Sequence, residues 1–441
     1  MTYQPTLFVE KAIPRDNNKA NKIDPQDLAF HDWYRFVLSF PPHLVRNYLE
    51  DFKVGRNDVL LDPFCGTGTT LIESKLNGIK SFGIEANPFA HFASSVKVDW
   101  EVNPDDLIAK SNEIAYIAQE ILLQQGIDDN VQYEGNFRDT QLRQLSPEEN
   151  KLLLTNSISP LPLHKTLILL DCLKQHQSER IYQHQLLALA NSLVYSTSNL
   201  HFGPEVGVGK KKKDVPVIKP WLIEIGKMAR DLSMAKDKSY PSAHAYFADS
   251  RCLTNILPPN SVNAVITSPP YPNEKDYTRI TRLESVVLGF ISNKSDLRLL
   301  KNNLIRSNTR NVYKEDDDDK WIELNSDIQK IAEKIEIRRK ELGKTSGFEK
   351  QYSRVTKLYF GGMARHLANL RTVLKKNALL AYVVGDQASY LRVMIRTGNI
   401  LSDIAETLGY ELIRIDLFRT RLSTTTKEQL REEVVILRWK G

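Results

Sequence analysis

The chain has 441 residues, enough for two or three average domains or for one domain carrying a large insertion. Hydrophobic residues make up 41% and charged residues 26%, the balance of a globular protein, and no apolar run approaches the ~18 residues that cross a bilayer. A net charge of +6 permits nucleic-acid contact without requiring it, and three well-separated cysteines argue against a disulfide framework or a zinc site, so no metal is expected.

Residues 1–29 read as a polar arm without the apolar stretch of a secretion signal, so a cytoplasmic location is expected. From Phe30 the chain turns apolar, and Pro41-Pro42 suits a helix start with Leu44, Val45, Tyr48 and Leu49 at helical spacing. Asp58 to Asp62 reads as a buried strand, Pro63 to Thr69 as a glycine-rich turn, Thr70 to Leu76 as a helix, and Ser81 to Glu85 as a second strand. Strand, helix, strand in about thirty residues is the βαβ unit of a parallel sheet, so 30–100 reads as the first part of an α/β domain.

Over 101–242 helical periodicity dominates, in Leu107 to Gln124, Gln183 to Ser196 and Trp221 to Lys236. This region reads as an insertion whose loops include the run Lys210-Lys211-Lys212-Lys213. Sheet character returns over 243–441, with a weakly apolar strand at Ala243 to Asp249 and a clear one at Val262 to Ile266. Three more follow at Leu379 to Val384, Glu411 to Leu417 and Glu433 to Trp439, the last two able to form a hairpin. A helical excursion at about 291–355 interrupts this half, and its acidic stretch Lys314 to Lys320 reads as a solvated loop or helix end.

Two motifs carry chemistry. Asp62-Pro63-Phe64-Cys65-Gly66-Thr67-Gly68-Thr69-Thr70 spans a strand-to-helix turn, where glycines admit a ligand that a Cβ would exclude. Glu85 ends the next strand, suited to accept hydrogen bonds from ribose hydroxyls, at close to the ~20-residue spacing of nucleotide-binding units. Leu71 stands where a dinucleotide loop has its third glycine, and no Gly-Lys-Ser/Thr follows as in a Walker loop. The turn therefore suits a nucleoside without pyrophosphate, a constraint that S-adenosylmethionine meets.

The second motif, Thr267-Ser268-Pro269-Pro270-Tyr271, follows the clear strand directly. Its two prolines withhold two N–H groups, so the loop presents acceptors. An exocyclic base amine, whose lone pair is delocalised into its ring, needs them. Hydrogen bonds to Ser268 Oγ and the Pro269 carbonyl would favour a pyramidal nitrogen, and Tyr271 would stack on a flipped base. Methyl transfer is then a direct in-line displacement, with rate coming mostly from positioning.

These motifs resemble those of the S-adenosylmethionine-dependent DNA amino-methyltransferases, which modify cytosine N4 or adenine N6. Asp62 to Thr70 is similar to their cofactor loop and Ser268-Pro269-Pro270-Tyr271 to their catalytic tetrapeptide, with Ser in first position typical of the cytosine-N4 type. Pro272 to Tyr277 resembles the continuation in that type, Phe40 to Leu44 the helix before the cofactor loop, and Ala248 to Arg251 the segment whose acid contacts adenine. The resemblance spans roughly half the chain, mainly 30–100, 243–290 and 355–440. It implies a Rossmann-like, doubly wound, seven-stranded α/β methyltransferase sheet, its last strand antiparallel, carrying a largely helical insertion.

The resemblance also implies that Ser268, Pro269, Pro270 and Tyr271 are catalytic, and that Phe40, Asp62, Pro63, Phe64, Gly66, Gly68, Thr69, Thr70, Glu85 and Asp249 bind cofactor. Double-stranded DNA is the implied substrate and a cognate restriction endonuclease the implied partner. Tyr277 is a candidate DNA contact, and Lys210, Lys211, Lys212 and Lys213 read either as a solvated loop or as phosphate contacts. In most members with a Ser-Pro-Pro-Tyr tetrapeptide that motif precedes the cofactor loop, whereas here it follows by about two hundred residues. Either 101–242 or 291–355 then serves as the target-recognition region. The expected reaction is methylation of cytosine N4 in DNA, with adenine N6 in DNA or an RNA base amine as alternatives. Cys65 reads as a small apolar filler, which disfavours methylation through a cysteine nucleophile.

Overall fold

The computed structural model describes residues 23–35, 39–132, 142–203, 205–273, 275–422 and 429–441. Most of the expected N-terminal arm lies outside the described residues, as does Glu274. The strands are β1 (Val59–Asp62), β2 (Lys80–Glu85), β3 (Leu200–Phe202), β4 (Val206–Val208), β5 (Ala243–Phe247), β6 (Val262–Thr267), β7 (Leu374–Gly385), β8 (Tyr410–Leu422) and β9 (Gln429–Trp439). Seven of them form one sheet in the order β5-β2-β1-β6-β7-β9-β8. Its pairings are parallel except those of β9, which runs antiparallel to both β7 and β8. This is the seven-stranded, doubly wound methyltransferase sheet that the sequence implied. The weakly apolar β5 lies at an edge of it, where a strand tolerates polar residues.

Side chains alternate between two covered faces, as a sheet buried on both sides requires. Leu60, Ala264, Ala381 and Ile436 meet Leu44 and Val45 of α1 (Pro42–Asp51) on one face. Leu61, Val265, Tyr382 and Leu437 meet the helices Tyr352–Leu370 and Thr397–Thr407 on the other. Helix α2 (Thr69–Leu76) follows the glycine turn, and α3 (Pro88–Lys97) follows β2, its first turn capped by the Asn87 side chain with Pro88 beside it.

The insertion is helical, with long helices at Pro104–Gln124, Pro160–Lys174, Tyr182–Ser192 and Ile218–Ala235. Leu107, Leu169, Leu187 and Trp221 share one core cluster with Leu71 of α2 and Phe89 of α3. Fully buried Lys165 bridges Asp214 at 2.7 Å and Asp129 at 3.3 Å, and Asp129 also accepts the backbone N–H groups of Val217 and Ile218. That ion cluster ties the start of the last insertion helix to the second. The antiparallel β3–β4 pair was not expected, because strands of three residues are too short to show an alternating pattern.

The acidic stretch, read as a solvated loop or helix end, does run into a short 3-10 helix at Asp318–Ile322, but the structure corrects its solvation. Asp316 takes two hydrogen bonds from the Arg306 guanidinium, at 2.6 and 2.9 Å. Asp318 is buried and receives Arg251 at 2.5 Å and Arg365 at 3.1 Å. The Asp318 carbonyl comes so close to Gly361 that a Cβ there would overlap it. Glu315 and Asp317 face solvent. The run is a clamp whose arginine partners lie far away in sequence. Among the described residues no helix is long and apolar enough to cross a membrane.

Candidate active site

Strand order reverses direction between β1 and β6, so their carboxyl ends open side by side, the place where such sheets bind ligands. The register Leu60 to Ala264 and Leu61 to Val265 brings the cofactor loop and the tetrapeptide together across some two hundred residues. Asp62 joins them. Its carboxylate accepts Thr267 Oγ1 at 2.5 Å, Thr70 Oγ1 at 2.6 Å and the Phe64 N–H at 3.1 Å. Burial pushes this carboxyl up to about 6, against those three hydrogen bonds.

Phe40, Pro63, Phe64, Gly66, Thr69 and Glu85 line one side of a cavity, and Ser268, Pro269, Pro270 and Tyr271 the other. Glu85 accepts the N–H of Gly66 at 2.9 Å and of Asn87 at 2.7 Å, and burial pushes its carboxyl up to about 7. Asp62, Thr70 and Gly68 stand behind this wall instead of on it. The carboxylate of Asp62 is taken up by the two threonines. Gly68 caps α2 at φ 87°, against Ser94, whose Cβ would lie 3.2 Å from any added methyl group. Asp249 also turns away, because Arg251 grips it through Nε at 3.0 Å and a terminal nitrogen at 2.7 Å, while neighbouring Ala248 and Ser250 do line the cavity.

The tetrapeptide presents acceptors almost exclusively. Ser268 Oγ donates to the Val383 carbonyl on β7 at 3.3 Å and also stands within hydrogen-bonding reach of the Tyr271 hydroxyl. Pro269 and Pro270 have no N–H, and the Tyr271 N–H is taken by the Tyr277 hydroxyl at 3.0 Å. Tyr277, read from sequence as a DNA contact, thus sits in the cavity wall and holds the tetrapeptide. Burial and nearby Glu432 raise the Tyr271 phenol well above its usual range, so it stays neutral.

Lys210, Lys211, Lys212 and Lys213 lie elsewhere, around a shallow cleft with Asn199 and His201. Lys212 Nζ donates to the Ser196 carbonyl at 2.7 Å, while the other three are exposed. The cavity also contains residues that sequence reasoning missed: Lys275, Ser307, Asn311, Arg419 and Glu432. Arg419 and Glu432 pair across the β8–β9 ladder, a contact visible only once the register is known. The polar run Ser307-Asn308-Thr309-Arg310-Asn311 was the available signal for the wall it forms. Among the described residues no group of three or more His, Cys, Asp or Glu side chains is arranged to hold a metal ion.

A doubly wound seven-stranded sheet with a glycine turn and an acidic residue at its switch point, facing a proline loop, is the α/β fold typical of methyltransferases. A family model described as DNA methylase, covering enzymes of the N6 and N4 type, matches residues 10–94. The type II methyltransferase M.BsoBI of Geobacillus stearothermophilus is 26% identical over 470 aligned positions, covering 98% of this chain and 87% of that protein. The type II methyltransferase M.AvaI of Nostoc sp. is 23% identical over 437 positions, covering 93% and 84%. TrmN from Thermus thermophilus, a solved structure, aligns over 93% of this chain and 52% of that one, at 10% identity and a TM-score of 0.28. Residues 10–94 thus match a DNA methylase family model, and over most of its length the chain is similar to type II methyltransferases.

Proposed function

We propose that this protein transfers a methyl group from S-adenosylmethionine to the N4 amine of cytosine, at a specific site in double-stranded DNA. The observation that carries this reading is the acceptor-rich tetrapeptide wall, where both prolines lack an N–H and that of Tyr271 is taken by Tyr277. Such a wall repels a base carbonyl and suits an amine with two protons to give. Ser268 in first position, by family resemblance, favours cytosine over adenine. The type II relatives support a role beside a cognate restriction endonuclease, in the cytoplasm. The exposed lysines 210, 211 and 213 then serve as phosphate contacts at the edge of the insertion.

The cavity fits the cofactor by its donor set. Glu85 offers a carboxylate to ribose hydroxyls, Phe40 and Phe64 offer apolar walls, and the loop from Pro63 to Thr70 carries no cation to pair with phosphate. When bound, S-adenosylmethionine supplies an electrophilic methyl group on a sulfonium. Ser268 Oγ and the Pro269 carbonyl accept the amine protons, keep the nitrogen lone pair out of the ring and stabilise the positive charge that develops there. Tyr271 stacks on the flipped base, and the sheet holds both motifs in line.

Mass spectrometry of nucleosides from unmethylated DNA incubated with protein and S-adenosylmethionine tests the reading. N4-methylcytosine is expected; N6-methyladenine would overturn the choice of base while keeping the chemistry. The Glu85 carboxyl supplies a second expectation. Ribose hydroxyls bind its ionised form, so cofactor affinity falls as pH drops through the value of about 7. One proton on one group makes binding about tenfold weaker at pH 6 than at pH 8. Calorimetric titration across that range checks it, and Glu85→Gln should flatten the slope.

A further inference from the structure

We propose that Asn311 reads the hydrogen-bonding edge of the flipped target base and is a specificity-determining residue, an inference that rests on the methyltransferase reading above. Asn311 is 1% exposed, lines the same cavity as Ser268 and Tyr271, and its buried side-chain oxygen has no hydrogen-bond partner. A buried amide oxygen is rarely left without a donor, and where it is, a ligand is one of the explanations.

Its position is fixed from two sides. The Asn273 N–H donates to the Ser307 carbonyl at 3.2 Å, and Asn308 Nδ2 donates to the Lys275 carbonyl at 3.0 Å. These bonds hold the short helix Thr309–Asn311 against the chain that leaves the tetrapeptide. From behind, Asp316 grips Arg306 and Asp318 grips Arg251, which also donates to the Asn302 carbonyl at 3.0 Å. A side chain on so anchored a turn can measure a ligand instead of adapting to it.

The chemistry of the amide selects its partner. Its oxygen accepts and its nitrogen donates, side by side. Cytosine and adenine both show an amine beside a bare ring nitrogen, the complement of that pair. Thymine and guanine show a carbonyl beside a ring N–H, the reverse pattern. Asn311 Oδ1 therefore shares one amine proton with the Ser268 and Pro269 acceptors, and its Nδ2 adds a ring-nitrogen contact.

Asn311→Asp keeps the shape but sets an acceptor against the ring-nitrogen lone pair; Asn311→Ala removes both groups. Each variant is compared with wild type on a short duplex carrying the mapped methylation site, and on the same duplex with the target base removed. Methylation kcat/KM of the aspartate variant should fall about 10- to 150-fold, the worth of one bidentate base contact. Cofactor affinity and affinity for the abasic duplex should match wild type for both variants. Wild-type kcat/KM in Asn311→Asp, or equal loss of affinity for intact and abasic duplex, would overturn the inference. Wild-type protein that methylates no DNA base would instead sink the underlying reading, and this inference with it.

Discussion

Asp318→Ala lowers the unfolding free energy by about 3 kcal/mol, the low end of the range for removing one partner of a buried ion pair. The low end applies because Arg251 is not left alone. Its side chain is 7% exposed and it keeps the Asp249 carboxylate after Asp318 is gone. Arg365, 34% exposed at its side chain, returns to water at little cost. The loss therefore comes from one buried charge contact and from the space that opens against Gly362, beside which the Asp318 carboxylate packs. Urea unfolding measures it, and Asp317→Ala, on the solvent side of the same run, should leave the midpoint where it is. The same clamp backs the 303–311 wall of the cavity, so the KM for DNA should rise in Asp318→Ala while cofactor affinity stays. An Asp318→Ala protein that unfolds at the wild-type midpoint would return the acidic run to a solvated loop.

The contrast between that clamp and the cofactor loop shows what a sequence discloses. Strand, turn, helix and strand from Asp58 to Glu85 are local, and each local preference agrees with the final fold, so they were legible. The tetrapeptide was legible for the same reason, being an apolar strand that ends in two prolines. Asp318 was not, because its partners lie 67 and 47 residues away and nothing near it distinguishes it from Asp317. Asp62 and Asp249 show a subtler limit. Motif position marks them for the ligand, but a threonine 205 residues on takes the first and an arginine two residues on takes the second. Sequence names the neighbourhood of a carboxylate; the hydrogen bonds decide which way it faces. Asn311 is the opposite case, an unremarkable polar residue until burial leaves its oxygen without a partner.

Ser268→Ala should cost about 10²- to 10³-fold in kcat, the range seen when one preoriented hydrogen-bonding group is removed from a site of developing charge. Here the charge is positive and appears on the amine nitrogen as it takes the methyl group. The Ser268 hydroxyl lines the cavity and is held there by its own donation to the Val383 carbonyl. Alanine removes the acceptor and leaves the Pro269 carbonyl to hold one amine proton. Rate falls for two reasons: the nitrogen relaxes toward conjugation with its ring, and the transition state loses half its hydrogen-bonded support. On the proposed reading Ser268 faces the base and Glu85 the nucleoside, so cofactor affinity should be unchanged in the variant. Ser268→Thr, which keeps the hydroxyl, should recover part of the rate. Single-turnover transfer of labelled methyl groups separates these steps from product release. A Ser268→Ala enzyme with wild-type single-turnover rate would mean that Pro269 alone orients the amine, and the case for cytosine built on residue 268 would go with it.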